Sequence, residues 1–461
     1  MSFILISTVT LILSIILFKK AAGTLSIFKI NMISLIFYYQ LVLQCFIGVN
    51  IAIFRLDNHY LLSKITDSNI RLIAYLSVMY VMIMMPLSMV LFSLITKFKS
   101  RKEFFSYVQR PIKSIMSKYD SAVYYTMCFF SAISFISILY TFFVIGKIPL
   151  LDVLSGKDSL YLAQLRISVS RDFGGNVYIR NILALGLTPF LSYIAYSYYK
   201  MYSIRRWKLL FIFLFICSVL AYTYNLEKAP VLMYIISFLL LNVLIKGNIS
   251  KRVLLIVVIV VFILITFMYI ALGGIANLAD LFSINSGPIG RIILGQITPL
   301  FYHFDIFPRI EPFLYGRSFP QSILSLFDVE SIRSARIVMS IINPQGIEAG
   351  TAGVMNTLFI GEAYANFGWL GVMIGTLYVG FFIQFVYILF LRLPKNPLTL
   401  GLFTYFSVKI PSIVTGGFVD FIYNAGFITI VILAMSFLIL SMILKRGAIN
   451  PNKMVLQKNK N

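Results

Sequence analysis

Charge is scarce in this sequence. Only 12% of its 461 residues are Asp, Glu, Lys or Arg, about half the share of a soluble globular domain. Acids are the scarcer sign, 16 against 39 basic residues, and there are two histidines and three cysteines. Cys45, Cys128 and Cys217 all lie in apolar runs. They form no CxxC, no zinc spacing and no disulfide framework, so they read as small packing residues. The chain also lacks GxxxxGK[ST], GxGxxG after a strand, HExxH and GxSxG, which removes the usual signatures of nucleotide sites, zinc peptidases and serine hydrolases. No cofactor and no metal is expected. The nearest approach to a metal pair is "DVE" at 328–330, three letters that also fit the start of a helix.

Long apolar runs are abundant instead. The chain is 60% hydrophobic and 16% aromatic, and about 20 apolar residues suffice to cross a bilayer. Runs at 2–18, 30–54, 71–96, 121–145, 179–199, 209–224, 229–245, 253–275, 368–391, 398–415 and 424–444 predict an all-α polytopic integral membrane protein with about 11 transmembrane helices. The first run has no basic n-region and no small-residue cleavage site, and two lysines follow it, so it reads as a retained helix. No fixed-period repeat appears, and a single integral domain is the expected organisation.

Net charge is +23. Sorted by alternate connections, 24 of the 39 basic residues fall on one side with two acids, Glu103 and Asp120. The other side holds 15 basic and 14 acidic residues. The excess therefore faces one compartment, and the positive-inside rule makes that side cytoplasmic. The basic balance is a topology signal that calls for no nucleic acid, with attraction to anionic membrane lipids as a secondary effect. It puts the N-terminus outside and the C-terminus in the cytoplasm.

Two external connections stand out, 146–180 and the long 276–353 that precedes the last three spans. The second is rich in aromatics and poor in the Ser, Gly, Lys and Glu of a solvated linker. It is expected to fold back on the membrane surface and to be partly helical, with "GPIGRIILGQITPLFYHF" as an interfacial or re-entrant helix and "RSFPQSILSLF" as another.

Candidate chemistry gathers on that side. The external arginines are Arg166, Arg171, Arg180, Arg291, Arg309, Arg317, Arg333 and Arg336. A guanidinium presents a permanently charged planar fork to phosphate or pyrophosphate, and each can equally well pair with an acid or a lipid headgroup. Lys228 sits beside Glu227 at the membrane boundary in "YNLEKAP". His303, two residues from Asp305 in "FYHFDIFPR", has the make-up of a base and its orienter; the alternative is a histidine at headgroup level. Glu362 opens the glycine-punctuated "GEAYANFGWLGV" (361–372). A carboxylate at that depth is costly unless it is used or paired, and burial would suit it to proton transfer; the alternative is an acid favoured by a helix start. Gly371 and Gly375 would let another helix approach, while Gly361 and Gly368 would free the backbone for a bend.

"FLYGRSF" (313–319) together with "GEAYANFGWLGVMIG" (361–375), set in this architecture, resembles the oligosaccharide repeat-unit polymerases, the Wzy-type O-antigen and capsule polymerases of bacteria. The architecture matches over the whole chain and the sequence over 287–380. The resemblance implies a glycosyltransferase of the bacterial cytoplasmic membrane. It would polymerise undecaprenyl-pyrophosphate-linked oligosaccharide at the outer face, with a polysaccharide chain-length regulator as a possible partner. In that setting the arginines of 146–180 and 287–317 would hold the pyrophosphate. Glu362, or His303 with Asp305, would take the acceptor proton. Tyr302, Tyr315 and Tyr364 would face sugar rings, and Asn366 would line the same cavity. The paired Arg-x10-Gly pattern of some family members is absent after Arg166, Arg171, Arg291 and Arg309, so arginine roles follow from location and chemistry alone. A lipid-linked oligosaccharide flippase, an O-antigen ligase and a membrane scaffold are the competing readings.

Overall fold

The computed structural model describes residues 2–116, 120–171, 173–271, 280, 282–284, 287–348, 352–421 and 423–449. Among these the chain is all-helical. Eight helices are long and apolar enough to cross a membrane, and the protein is a multi-pass membrane protein. The apolar runs at 179–199 and 209–224, and the run at 253–275 as far as it is described, are helical too, as Ile179–Leu187 running on into Thr188–Tyr202, as Arg205–Tyr222 and as Lys251–Ala271, but they are not among those eight; 272–275 lie outside the described residues. On Lys251–Ala271, Leu255, Ile256, Val258, Phe262 and Ile263 are all more than half exposed. A surface that apolar is stable only against lipid.

The chain divides into two compact units. The first comprises Met1–Tyr107, Asn248–Arg392 and Ser407–Asn424, and the second Val108–Gly247, Leu393–Phe406 and Ala425–Asn461.

In the first unit, Ser68–Ile95 packs against both Ser2–Ala22 and Ile360–Arg392. Gly380 permits the second contact, because a Cβ there would collide with Ser88 Oγ and the Met85 carbonyl. The first helix ends at Ala22, before Gly23 at φ +82°. Its last carbonyls would be orphaned in a bilayer. Gln384 Nε2 donates to Ala21 O (3.2 Å) and Tyr387 OH to Ala22 O (2.9 Å), which satisfies them. At the other end, buried Arg71 spends all five N–H donors. It bonds Asp57 (2.7 and 3.2 Å) and the carbonyls of Ala52, Leu62 and Ile65, pinning the 54–67 connection to its helix.

The second unit is held by aromatic packing. Tyr198 stacks on Trp207 at 4.3 Å, and Tyr193, Tyr196, Phe211 and Tyr234 surround Phe238. Lys395 is buried, and its ammonium donates to Val108 O (2.9 Å) and Arg110 O (2.8 Å). It neutralises helix-end carbonyls with a cation, as the macrodipole favours.

Candidate active site

The glycine-punctuated stretch forms two helical pieces with a break between them. Within Ile360–Arg392, Phe367 (φ −135°, ψ 17°) and Gly368 (φ 59°, ψ −144°) leave helical geometry. A side chain at Gly368 would be strained by that φ and would meet the Phe313 ring at 3.2 Å. Below the break the helix covers the apolar run read at 368–391. The break turns the first piece back on the second. A Cβ on Gly371 would strike the Ala363 carbonyl oxygen, and one on Gly375 would touch the Ala363 side chain at 3.4 Å. The small residues expected to admit another helix instead admit the preceding two turns of their own. Gly361 stays helical, so of the two glycines only Gly368 takes part in the bend, together with Phe367.

That first piece is tied to the other motif. Leu314 N donates to Ala365 O (2.9 Å), Tyr315 N to Asn366 O (3.0 Å) and Gly316 N to Asn366 Oδ1 (3.0 Å). Asn366 Nδ2 donates to Ser318 Oγ (2.9 Å) and to Glu362 O (2.8 Å). Tyr315 (φ +46°) and Gly316 (φ +94°) are left-handed to make the turn. "FLYGRSF" and "GEAYANF", 40-odd residues apart in sequence, form one hydrogen-bonded junction. Asn366, fully buried with both amide ends engaged, clips it together and does not face a ligand.

Beside the junction lies a charge cluster. Arg333 Nε reaches Glu362 Oε1 at 2.9 Å, while Nη1 and Nη2 hold Asp420 Oδ1 and Oδ2 at 2.9 and 3.0 Å. The Glu362 side chain is 4% exposed, against 36% for Arg333 and 30% for Asp420. The Val419 N–H points to Glu362 Oε2 at 3.5 Å. Gly417 passes so close that a Cβ on it would overlap Arg333 Nη2 and Glu362 Oε2. Burial works against the Arg333 charge, but the Asp420 hydrogen bonds and the two carboxylate charges outweigh it and raise its pKa above the usual range. With both carboxylates ionised, one cation between them leaves the cluster at −1, and in that state it has room for a proton or a hydroxyl donor.

No family model, curated protein or solved structure matches this chain.

His303 lies against the same cluster but is sealed from it. Its ring is 1% exposed, and burial pushes its pKa down to about 4, so it is neutral at pH 7. Nδ1 lies 2.8 Å from the Pro299 carbonyl, which can only accept, so that nitrogen carries the proton. Nε2 therefore accepts from Ser334 Oγ at 3.2 Å, one residue from Arg333. Asp305 is ion-paired to Arg309 instead. The base-and-orienter pair expected of His303 and Asp305 is not formed. Residues two apart on a helix face different ways, and the i,i+4 partner wins.

The remaining candidates sort by exposure. Tyr302 is buried and its hydroxyl bonds Leu61 O at 2.7 Å. Tyr364 is packed between Phe304, Phe313 and Trp369. Of the three tyrosines only Tyr315, 75% exposed, offers a ring face. It lines a cavity of about 760 Å³ with Phe313, Arg317, Phe319, Phe327 and Phe367. Among the described residues Arg317 is its single charged lining residue. Arg317, Arg291 and Arg336 are exposed and take part in no ion pair among the described residues.

In the second unit, Arg166 is exposed on Ser159–Arg171, and the Arg171 side chain lies outside the described residues. Arg180 is buried, bonded to Val169 O and Asn181 Oδ1, and covered by the Phe173 and Tyr224 rings. It is occupied by its own fold. Lys228 is half-buried at the start of Lys228–Lys246.

"GPIGRIILGQITPLFYHF" forms two short helices, Pro288–Ile293 and Thr298–Ile306, and "RSFPQSILSLF" yields Gln321–Leu324 and Ser325–Phe327. "DVE" is not a helix start: Asp328 is left-handed, and the helix begins at Ser334. Among the described residues no His, Cys, Asp and Glu cluster could hold a metal. Asp420, which completes the charge cluster, is not among the candidate site residues read from the sequence. Its signal was an acid in "GGFVDFIYNAG" (416–426), a small, apolar and otherwise uncharged stretch.

Proposed function

We propose that this protein is a glycosyltransferase that polymerises polyprenyl-pyrophosphate-linked oligosaccharide repeat units at the outer face of the bacterial cytoplasmic membrane. The observation that carries the reading is the hydrogen-bonded junction of 313–319 with 361–367 beside the Glu362–Arg333–Asp420 cluster. It brings a proton-accepting group, an aromatic cavity and unpaired arginines into one unit. Eleven crossings with the N-terminus outside put that unit's 276–353 segment on the outer side, and the asymmetry of basic residues supports this topology.

In the reaction, a hydroxyl of the incoming repeat unit attacks the anomeric carbon of the growing chain. A C–O bond forms there, the bond from that carbon to the pyrophosphate oxygen breaks, and polyprenyl pyrophosphate departs with the electron pair. A carboxylate of the cluster takes the hydroxyl proton. Arg317 and Arg291 are free to neutralise the departing pyrophosphate, and Tyr315 offers a flat face to a sugar ring.

The test is deletion of the gene and complementation, with surface polysaccharide resolved by gel. Loss of the long-chain ladder with single repeat units retained is the expected result. Loss of every repeat unit, with lipid-linked precursor held inside the cell, would make the protein a flippase and remove the catalytic reading.

A further inference from the structure

Building on that reading, we infer that Asp420 is the carboxylate that meets the acceptor hydroxyl, and that Glu362 serves it from behind as a positioning residue acting through Arg333. The two acids differ in reach. Glu362 is 4% exposed. One of its oxygens is taken by Arg333 Nε, and the other faces the Val419 N–H under the backbone of Gly417, where not even a methyl group fits. No hydroxyl of a sugar can approach it without first displacing that backbone. Asp420 is 30% exposed and is carried on the short turn Val419–Phe421. Each of its oxygens receives one N–H from Arg333 and keeps a lone pair for a second donor.

The guanidinium links the two. Its fork is planar, so fixing Nε on Glu362 fixes the plane in which Nη1 and Nη2 meet Asp420. Without Glu362 the fork is free to turn about its stem, and Asp420 loses its set direction. The proton balance follows from the cluster as a unit. With both acids ionised it starts at −1, accepts the hydroxyl proton on Asp420 as the new C–O bond forms, and ends neutral, while the pyrophosphate leaves with the electrons of the bond it loses.

Isosteric variants separate the roles in the deletion strain. Asp420→Asn keeps one acceptor oxygen for Arg333 but is no base, and polymer of more than one repeat unit should fall by about 100-fold or more. Glu362→Gln keeps an oxygen for Arg333 Nε and should stay within about tenfold of wild type, whereas Glu362→Ala should fall well below it. Membrane levels are matched by immunoblot. If Asp420→Asn does not accumulate, Asp420→Glu decides, because a base displaced by one methylene should weaken the ladder, and an undiminished one overturns the assignment. A wild-type ladder from Asp420→Asn, or Glu362→Gln as inactive as Asp420→Asn, also overturns it. These outcomes differ from failure of the polymerase reading, in which the deletion strain itself keeps its ladder.

Discussion

Gly417→Ala is the sharpest probe of the cluster, because it adds one methyl and removes nothing. Gly417 has no left-handed φ, so the backbone tolerates alanine. The new carbon meets Arg333 Nη2 and Glu362 Oε2 inside van der Waals distance and Glu362 Cδ at 3.0 Å. Two responses are open. The 415–419 backbone can shift, as in an overpacked core, at a cost of about 1–3 kcal/mol. Alternatively the guanidinium swings out and leaves Glu362 buried without its partner. Breaking a buried pair costs about 3–5 kcal/mol, and the 36% exposure of Arg333 puts this case at the lower end, because water can partly replace the lost contact. Either way Asp420 is carried off its position. About 3 kcal/mol withdrawn from the working geometry is a loss of roughly 100-fold in rate. The readout is ladder intensity in the complemented deletion strain at matched protein level. Gly353→Ala is the control, since a Cβ there meets nothing within 4 Å. A full ladder from Gly417→Ala would refute the claim that this contact matters to catalysis.

Arg71→Met should cost about 3–5 kcal/mol, because it strands the buried Asp57 carboxylate and three carbonyls; thermal unfolding in detergent reads it, and an unchanged midpoint would refute the pinning role. Arg317→Ala should raise the lipid-linked donor concentration needed for half-maximal rate by about tenfold with little change in maximal rate, as loss of one exposed charge contact implies. His303 has a pKa of about 4 in the folded protein against about 6.5 when unfolded. The unfolded chain takes up the extra proton, so stability falls as pH drops from about 6.5 to about 4 and then levels off. His303→Gln should flatten that part of the stability–pH curve, and an unaltered slope would mean that another group produces it.

The helices were legible because length and apolarity decide them: the run read at 121–145 is the helix Ser121–Ile145, and the run at 30–54 is Met32–Ile53. The bend at Gly368 was legible because glycine is what a positive φ selects. The charge cluster was not legible. Arg333 and Asp420 lie 87 positions apart, and nothing in either local pattern names the other. Glu362 stood out as an acid at the start of an apolar run; that its burial is met by Arg333 is a fact of packing. His303 with Asp305 misled because closeness in sequence is not closeness on a helix, and Tyr302, Tyr364 and Asn366 misled because polar residues near a site are as often its frame as its lining.

The arginines divide in a way that bears on mechanism. Arg309 is given to Asp305, Arg333 to Glu362 and Asp420, and Arg180 to carbonyls and aromatic rings. A guanidinium already matched or outnumbered by acids offers little to a pyrophosphate, and the −1 cluster would repel one. On the proposed reading, anion binding in the first unit therefore falls to the arginines that form no ion pair among the described residues, Arg291, Arg317 and Arg336. On that reading, proton transfer belongs beside the arginine that the fold pairs, since a carboxylate braced by Arg333 is held in a set direction. If the two tasks are divided in this way, Arg317→Ala and Asp420→Asn should fail differently. The first should be rescued by raising donor supply, and the second should not.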